Sequence, residues 1–164
     1  MLLLSGFARG QMLCPQPADL LPCTCTGNGA GTGVLECENQ NLNDDLASRI
    51  LDSFNTSPTL LYRVNMASNQ LTYVPSQITF LTQLNLTWVD LKNNKITIIR
   101  SGAFNFTNEL NELILSSNLI STIEPGSFLG FANFLFLTFV LFYVKKLYIT
   151  KIRKIWEVLS SIGD

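Results

Sequence analysis

The sequence predicts an α/β solenoid, a short right-handed arc with a parallel concave sheet and a disulfide-bonded N-terminal cap. Three observations lead there. A phrase of the form Leu-x-x-Leu-x-Leu-x-x-Asn, with an aliphatic residue two places further on, occurs as Leu61, Val64, Met66, Asn69 and Leu71, as Leu86, Val89, Leu91, Asn94 and Ile96, and as Leu110, Leu113, Leu115, Asn118 and Ile120. A second series keeps the same register, with Phe80, Phe104 and Phe128 spaced by 24, and Val74, Ile99 and Ile123 closing the three phrases. All 4 cysteines fall within the first 37 residues, ahead of the phrases.

The phrases follow one another at intervals of 25 and 24 residues. This lies inside the roughly 20–29-residue period of a leucine-rich repeat, in which each unit supplies one short strand and a return segment. The joint periodicity of four residue types carries the assignment, since no single leucine would. In 164 residues such an array has only a few turns beyond an end cap.

Residues 1–13 are read as a leader remnant or a flexible N-terminus, because the apolar run Leu2-Leu3-Leu4 is short and no basic residue precedes it. Cys14 opens the cap, Cys23 and Cys25 follow, and Cys37 closes it. An even cluster of cysteines at one end reads as two disulfides formed in an oxidising compartment. The alternative is a thiolate metal site or free buried thiols, and sequence alone permits three pairings. The Gly-rich run 27–33 can cross between two short strands, the second being Val34–Cys37. Asn43-Asp44-Asp45 can cap a helix with Leu46, Ile50 and Phe54 on its apolar face and Ala47, Ser48, Arg49 and Asp52 on its polar side. Cys37 to Leu61 is again 24 residues, so cap and helix together are expected to fill one repeat.

Within each phrase the apolar positions face inward and the alternating positions outward, because a strand has a side-chain period of two. The amides of Asn69, Asn94 and Asn118 are expected to satisfy backbone groups where strand turns into return loop, forming a ladder. Outward positions give three columns across the rungs: Arg63, Trp88 and Glu112; Asn65, Asp90 and Ile114; Ala67, Lys92 and Ser116. Of these, Arg63, Asn65, Trp88, Asp90, Lys92, Glu112 and Ile114 are the partner-binding candidates. Trp88 is the anchor, an exposed indole beside Arg63 and Asp90. The competing reading is that Trp88 packs on a neighbouring side chain in an ordinary polar surface. The return segments ending in Phe104 and Phe128 turn the chain and plant a phenylalanine in the core.

After Phe128 the pattern changes. Phe134, Leu137 and Phe139 keep the phrase, but Phe142 stands where the next asparagine belongs. Residues 128–144 form 17 positions without a charge, followed by Lys145, Lys146, Lys151, Arg153 and Lys154. One reading is a short membrane span with the basic flank inside the cell and the cap outside. A second is an array cut short by translated non-coding sequence, and a third is a divergent last repeat.

Composition excludes several functions. A net charge of −1 with 14% charged residues gives no footing for nucleic acid, and the absence of histidine removes the usual zinc ligand and neutral-pH base. Asp90 and Glu112 lack a pocket or positioned partner, so no catalytic residue, metal or cofactor is expected. Asn55, Asn85 and Asn105 head N-glycosylation triplets, the first weakened by Pro58, and support a secretory route.

The segment Cys14-Pro15-Gln16-Pro17-Ala18-Asp19-Leu20-Leu21-Pro22-Cys23-Thr24-Cys25, with the rungs Trp88–Asn94 and Ser101–Phe104, resembles the extracellular leucine-rich-repeat family of arthropods, in particular proteins related to the non-catalytic subunit of oplophorus-luciferin 2-monooxygenase. The resemblance implies crossed bridges, Cys14–Cys25 and Cys23–Cys37. It also implies a secreted, non-catalytic binding or scaffold protein with a protein ligand or partner subunit. The alternatives are a single-pass adhesion or receptor fragment at the plasma membrane, N-terminus outside, attached through 128–144, and an accessory subunit of a luciferase-like monooxygenase. The expected domains are a cap over 14–58, three repeats over 59–130 and a tail over 131–164.

Overall fold

Each repeat begins with a short strand whose apolar residues alternate with polar ones, and in the computed structural model these strands lie side by side in register. The structure describes residues 14–27, 32–56, 60–78, 86–104 and 110–128. Residues 129–164, which include the tail expected over 131–164, and the remaining segments lie outside them. A short helix α1 (Pro17–Leu20) leads into β1 (Thr24–Gly27) and β2 (Thr32–Glu36), followed by α2 (Asp44–Asp52) and a 3-10 turn at Ser53–Thr56. The rungs supply β3 (Leu60–Asn65), β4 (Trp88–Asp90) and β6 (Glu112–Ile114), and the return segments supply β5 (Ile98–Ile99) and β7 (Thr122–Ile123).

The main sheet runs β1-β2-β3-β4-β6, with β1 antiparallel to β2 and every later pairing parallel. On the return side β5 pairs with β7, again parallel. Between the two layers lies one core, in which Leu35, Val64 and Val89 form one row and Cys37, Met66 and Leu91 the next, all fully buried. Each such aliphatic side chain contributes roughly 1.5–3 kcal/mol by leaving water. The rings of Phe104 and Phe128 stack at 5.4 Å and 7° on the return side. Gly102 and Gly126 turn the chain ahead of them at φ 73 and 79, where a Cβ would clash. Phe80, the first of that series, lies outside the described residues.

Cys14 is bonded to Cys25 and Cys23 to Cys37. The second bridge is the more deeply placed, with Cys23 and Cys37 both in the core. It ties the end of α1 to the end of β2, so the open face of the first rung is closed by covalent structure rather than by another repeat.

Two expectations for the cap need correction. Cys37 does not stand one 24-residue interval from its counterpart. Its N–H donates to the Asn65 carbonyl, and Leu35 pairs with Val64, so the counterpart of Cys37 is Met66. The cap's return segment contains α2 and the 3-10 turn, and a helix rises only about 1.5 Å per residue where a strand rises about 3.3 Å. More residues are therefore needed to cover the same path, and a register shift at Gly33/Val34 absorbs the mismatch on entry to the sheet. The polar side assigned to α2 is also wrong at Ala47, which is fully buried together with Ile50, Leu51 and Phe54, whereas Leu46 is only partly buried. Asn43 caps the helix, its Oδ1 accepting from the Leu46 N–H at 2.9 Å.

The asparagine ladder links one rung to the next. Asn94 Nδ2 lies within 2.9 Å of the Met66 carbonyl in the preceding rung and 3.0 Å of the Leu91 carbonyl in its own, and its Oδ1 accepts from the Leu71 N–H at 3.0 Å. Asn118 repeats this with Leu91, Leu115 and Ile96. Asn69 reaches the cap, donating to the Cys37 and Met66 carbonyls and accepting from the N–H groups of Gln40 and Leu42. The residue before each asparagine, Ser68, Asn93 or Ser117, takes a left-handed backbone with φ between 54 and 58, which turns the chain and aims the amide back across the rungs.

Replacing Asn94 with leucine is expected to destabilise the fold by about 1–3 kcal/mol through the buried backbone groups left unpaired. Asn118→Leu should cost less, because Asn118 is only partly buried. Chemical denaturation of the full chain measures both, and equal or negligible losses would contradict the ladder's role.

Candidate functional site

The register of β3, β4 and β6 fixes the columns of the concave face. Arg63 pairs with Trp88 and Trp88 with Glu112, while Asn65 pairs with Asp90 and Asp90 with Ile114. A third column continues past the strand ends, where the Ser68 N–H donates to the Lys92 carbonyl and the Asn93 N–H to the Ser116 carbonyl. The cap extends the columns, since Val34 pairs with Arg63 and Glu36 with Asn65, and the Asn39 N–H donates to the Ala67 carbonyl. Glu36 and Glu38 therefore belong to this face. Sequence reasoning missed them because the cap strand lacks the repeat phrase. The available signal was Leu35-x-Cys37 set against Val64-x-Met66, which places both glutamates at outward positions.

All three residues of the first column are half-buried. Arg63 lays its guanidinium over the Trp88 ring, with Cζ 3.8 Å from the ring centroid. The indole is thus half-buried beneath a cation rather than freely exposed, and a cation–π contact of this kind contributes on the order of 0.5–1 kcal/mol at a surface. Glu36 approaches Arg63 at 3.9 Å, both side chains being 40% exposed, so their attraction is weak and screened. Glu112 is half-buried on the far side of Trp88 from Arg63 and makes no side-chain hydrogen bond or ion pair among the described residues.

The second column corrects an expectation. Asn65 and Asp90 point to the concave side, yet they are 6% and 3% exposed and are not displayed to a partner. The ladder explains why. The carbonyls of Cys37 and Met66 are engaged by Asn69 and Asn94, while the Ala67 and Lys92 N–H groups turn to local acceptors. Asn65 Oδ1 takes the Ala67 N–H at 3.2 Å, and Asp90 Oδ1 takes the Lys92 N–H at 2.8 Å. A short Asx side chain two residues before the turn is the group that can make this bond. Asn65 Nδ2 then binds Glu36 Oε2 at 2.8 Å. Ile114 occupies the same position in the last described rung, cannot accept a hydrogen bond, and is only half-buried.

Burial raises the Asp90 carboxyl above its ordinary value of 3.8, against the lowering effects of the Lys92 N–H and ammonium, and Glu38 adds to the rise. Lys92 Nζ stands 3.7 Å from Asp90 Oδ2 with the lysine 45% exposed. Asp90 is therefore a strained charge held in the middle of the sheet.

Among the described residues no group of three or more His, Cys, Asp or Glu side chains could hold a metal ion. Asn55 is exposed after α2 and donates to Asp52 Oδ1 at 3.3 Å. Asn85 and Asn105 lie outside the described residues, as does all of the 128–144 stretch beyond Phe128. Among the described residues no helix is long and apolar enough to cross a membrane.

With this geometry in hand, comparison with known proteins gives two findings. The family model for the leucine-rich repeat matches residues 84–138. The solved structure of human 5T4, also titled Wnt-activated inhibitory factor 1 and trophoblast glycoprotein, is 24% identical with a TM-score of 0.45, covering 67% of this chain and 36% of that one. This chain thus spans about a third of the length of the structure it resembles. The fold is a short leucine-rich-repeat solenoid with a disulfide-bonded cap.

The raised Asp90 carboxyl makes a pH prediction whose sign follows directly. Below 3.8 the group is protonated whether folded or unfolded and contributes nothing. As pH rises through the interval above that value, the unfolded chain releases its proton first and stability is lost. Asp90→Asn keeps the acceptor for Lys92 and removes the charge, so its stability relative to the native chain should increase with pH from about 4 toward 7. Denaturant midpoints of the two proteins across that range provide the check, and a flat difference would refute the assignment.

Proposed function

We propose that the chain is a secreted, non-catalytic protein-binding module that uses the concave sheet as its contact surface. The observation that carries this reading is the Arg63–Trp88 stack on β3 and β4. Arginine and tryptophan supply large, oriented contact area at little further entropic cost, and they are enriched at the centres of interfaces. Two disulfides support an extracellular location, because such bonds persist in oxidising compartments. We assign 14–58 to the cap, 59–130 to the repeats and 131–164 to a tail.

Arg63, Trp88 and Glu112 form the contact row, with Lys92 and Ile114 beside it, while Asn65 and Asp90 support the sheet from within. Glycans on Asn55, Asn85 and Asn105 would be compatible with secretion. The same surface would serve a form anchored through 128–144. The finer resemblance to the oplophorus-luciferin monooxygenase subunit would set that surface against a catalytic subunit.

A photo-cross-linking residue placed at Ser116, on the concave side, should trap a discrete partner from proteins secreted by cells that express the chain. One placed at Thr97, on the return side, should not. Excess unlabelled native chain should compete, and excess Trp88→Ala should compete at least about tenfold less well, the loss of a central aromatic contact being worth roughly 2 kcal/mol. Equal capture from both positions, or full competition by the alanine variant, would sink the proposal.

A further inference from the structure

Asn55 heads one of the three acceptor triplets and stands in the 3-10 turn that follows α2, where it is exposed. Its amide is anchored from one side. Nδ2 donates to Asp52 Oδ1 at 3.3 Å, and the same oxygen accepts from Gln77 Nε2 at 3.1 Å, which ties the return segment of the cap to that of the first repeat. An amide nitrogen carries two N–H bonds, and among the described residues Asp52 is the sole acceptor for this one. A sugar attached to Nδ2 replaces a single N–H, and the N–H that remains can keep the bond to Asp52. The folded turn therefore accommodates the substitution without giving up a hydrogen bond. Pro58 lies beyond the triplet, whose middle position, where proline would block transfer, is Thr56 and whose hydroxyl is that of Ser57.

We infer that Asn55 carries an N-linked oligosaccharide, which covers the return flank of the cap and leaves the concave sheet as the open face. This rests on the secreted reading above, since the sugar donor is met along the secretory route. In the transfer, Nδ2 bonds to the anomeric carbon of an oligosaccharide carried on a lipid pyrophosphate. The bond from that carbon to the phosphate oxygen breaks, the lipid pyrophosphate leaves with the electron pair, and Nδ2 gives up one proton. The placement follows from the way α2 packs. Ala47, Ile50, Leu51 and Phe54 turn into the core, whereas Asp52 and Asn55 are exposed. That core separates them from the outward residues of β2 and β3. A bulky, solvated chain at Asn55 therefore projects from the return side and hinders protein contact there.

The test uses the full chain, directed into the secretory route of cultured eukaryotic cells by a leader peptide. Peptide N-glycosidase in heavy-oxygen water converts each glycosylated asparagine to a labelled aspartate, and peptide mapping reads the positions separately. Asn55 should take the label. Asn55→Gln should lose that signal alone and run smaller on a denaturing gel by the mass of one oligosaccharide. With its denaturation midpoint close to native, as for an exposed substitution, it should still be captured from Ser116 as the native chain is. Secretion with both disulfides formed and Asn55 unlabelled would overturn the inference and leave the secreted reading standing. Loss of capture from Ser116 in Asn55→Gln would overturn the placement of the sugar away from the concave face. A chain retained in the cells with free thiols would remove the secreted reading, and the inference with it.

Discussion

One side-chain amide, bonded to two rungs at once, is the constraint on which the rest of this solenoid depends. Strands in a parallel sheet can be held by backbone bonds only while the chain stays extended, and here each chain must leave the sheet after a few residues. At the point of departure a left-handed residue breaks the ladder and would strand carbonyls inside the core. Asparagine satisfies them because it has two donors and an acceptor on a short stem. Aspartate would lack the donors, and glutamine would carry the amide one methylene further out. The bonds of Asn94 to Met66 and Leu91 therefore tie two rungs together where the chain leaves the sheet.

The cap is this same construction with its first amide missing. Gln40 replaces the asparagine and points its side chain to the nearby Glu38 carbonyl, so it does not reach back to an earlier rung. Asn69 compensates from the other side, taking the Gln40 and Leu42 N–H groups and the Cys37 carbonyl. The Cys23–Cys37 bridge enters the core beside that carbonyl. Covalent and hydrogen-bonded closure meet at Cys37, and the array can begin there without an exposed hydrophobic end.

Much of this was legible because periodicity reports direction. The spacing of Leu61, Val64, Met66 and Asn69 identified the inward residues, and the columns of outward residues follow in the same order in the sheet. Periodicity does not report depth. Asn65 and Asp90 face outward by parity, but a need created by Asn69 and Asn94 in the adjoining turn draws them down onto the backbone, and no count along the chain encodes that need. The cap's place in the register was hidden for a related reason. A helical return segment consumes residues without consuming distance, so the interval that identifies a rung elsewhere misplaces Cys37. The Arg63–Trp88 stack was seen as a neighbourhood, but which face of the indole is covered depends on side-chain torsions.

These structural demands are unevenly distributed along each strand, and that divides support from recognition. Close to the turn, Asn65 and Asp90 answer to backbone groups, and Asp90 does so with a charge made unfavourable by burial. Two residues earlier the backbone is in regular pairing, and nothing local prescribes the side chain. That is where an arginine, a tryptophan and a glutamate can stand side by side, as different from one another as the three asparagines are alike. A repeat protein can vary its ligand only at positions its own ladder does not use, and the Arg63–Trp88–Glu112 row is one outward column that the described turns leave free.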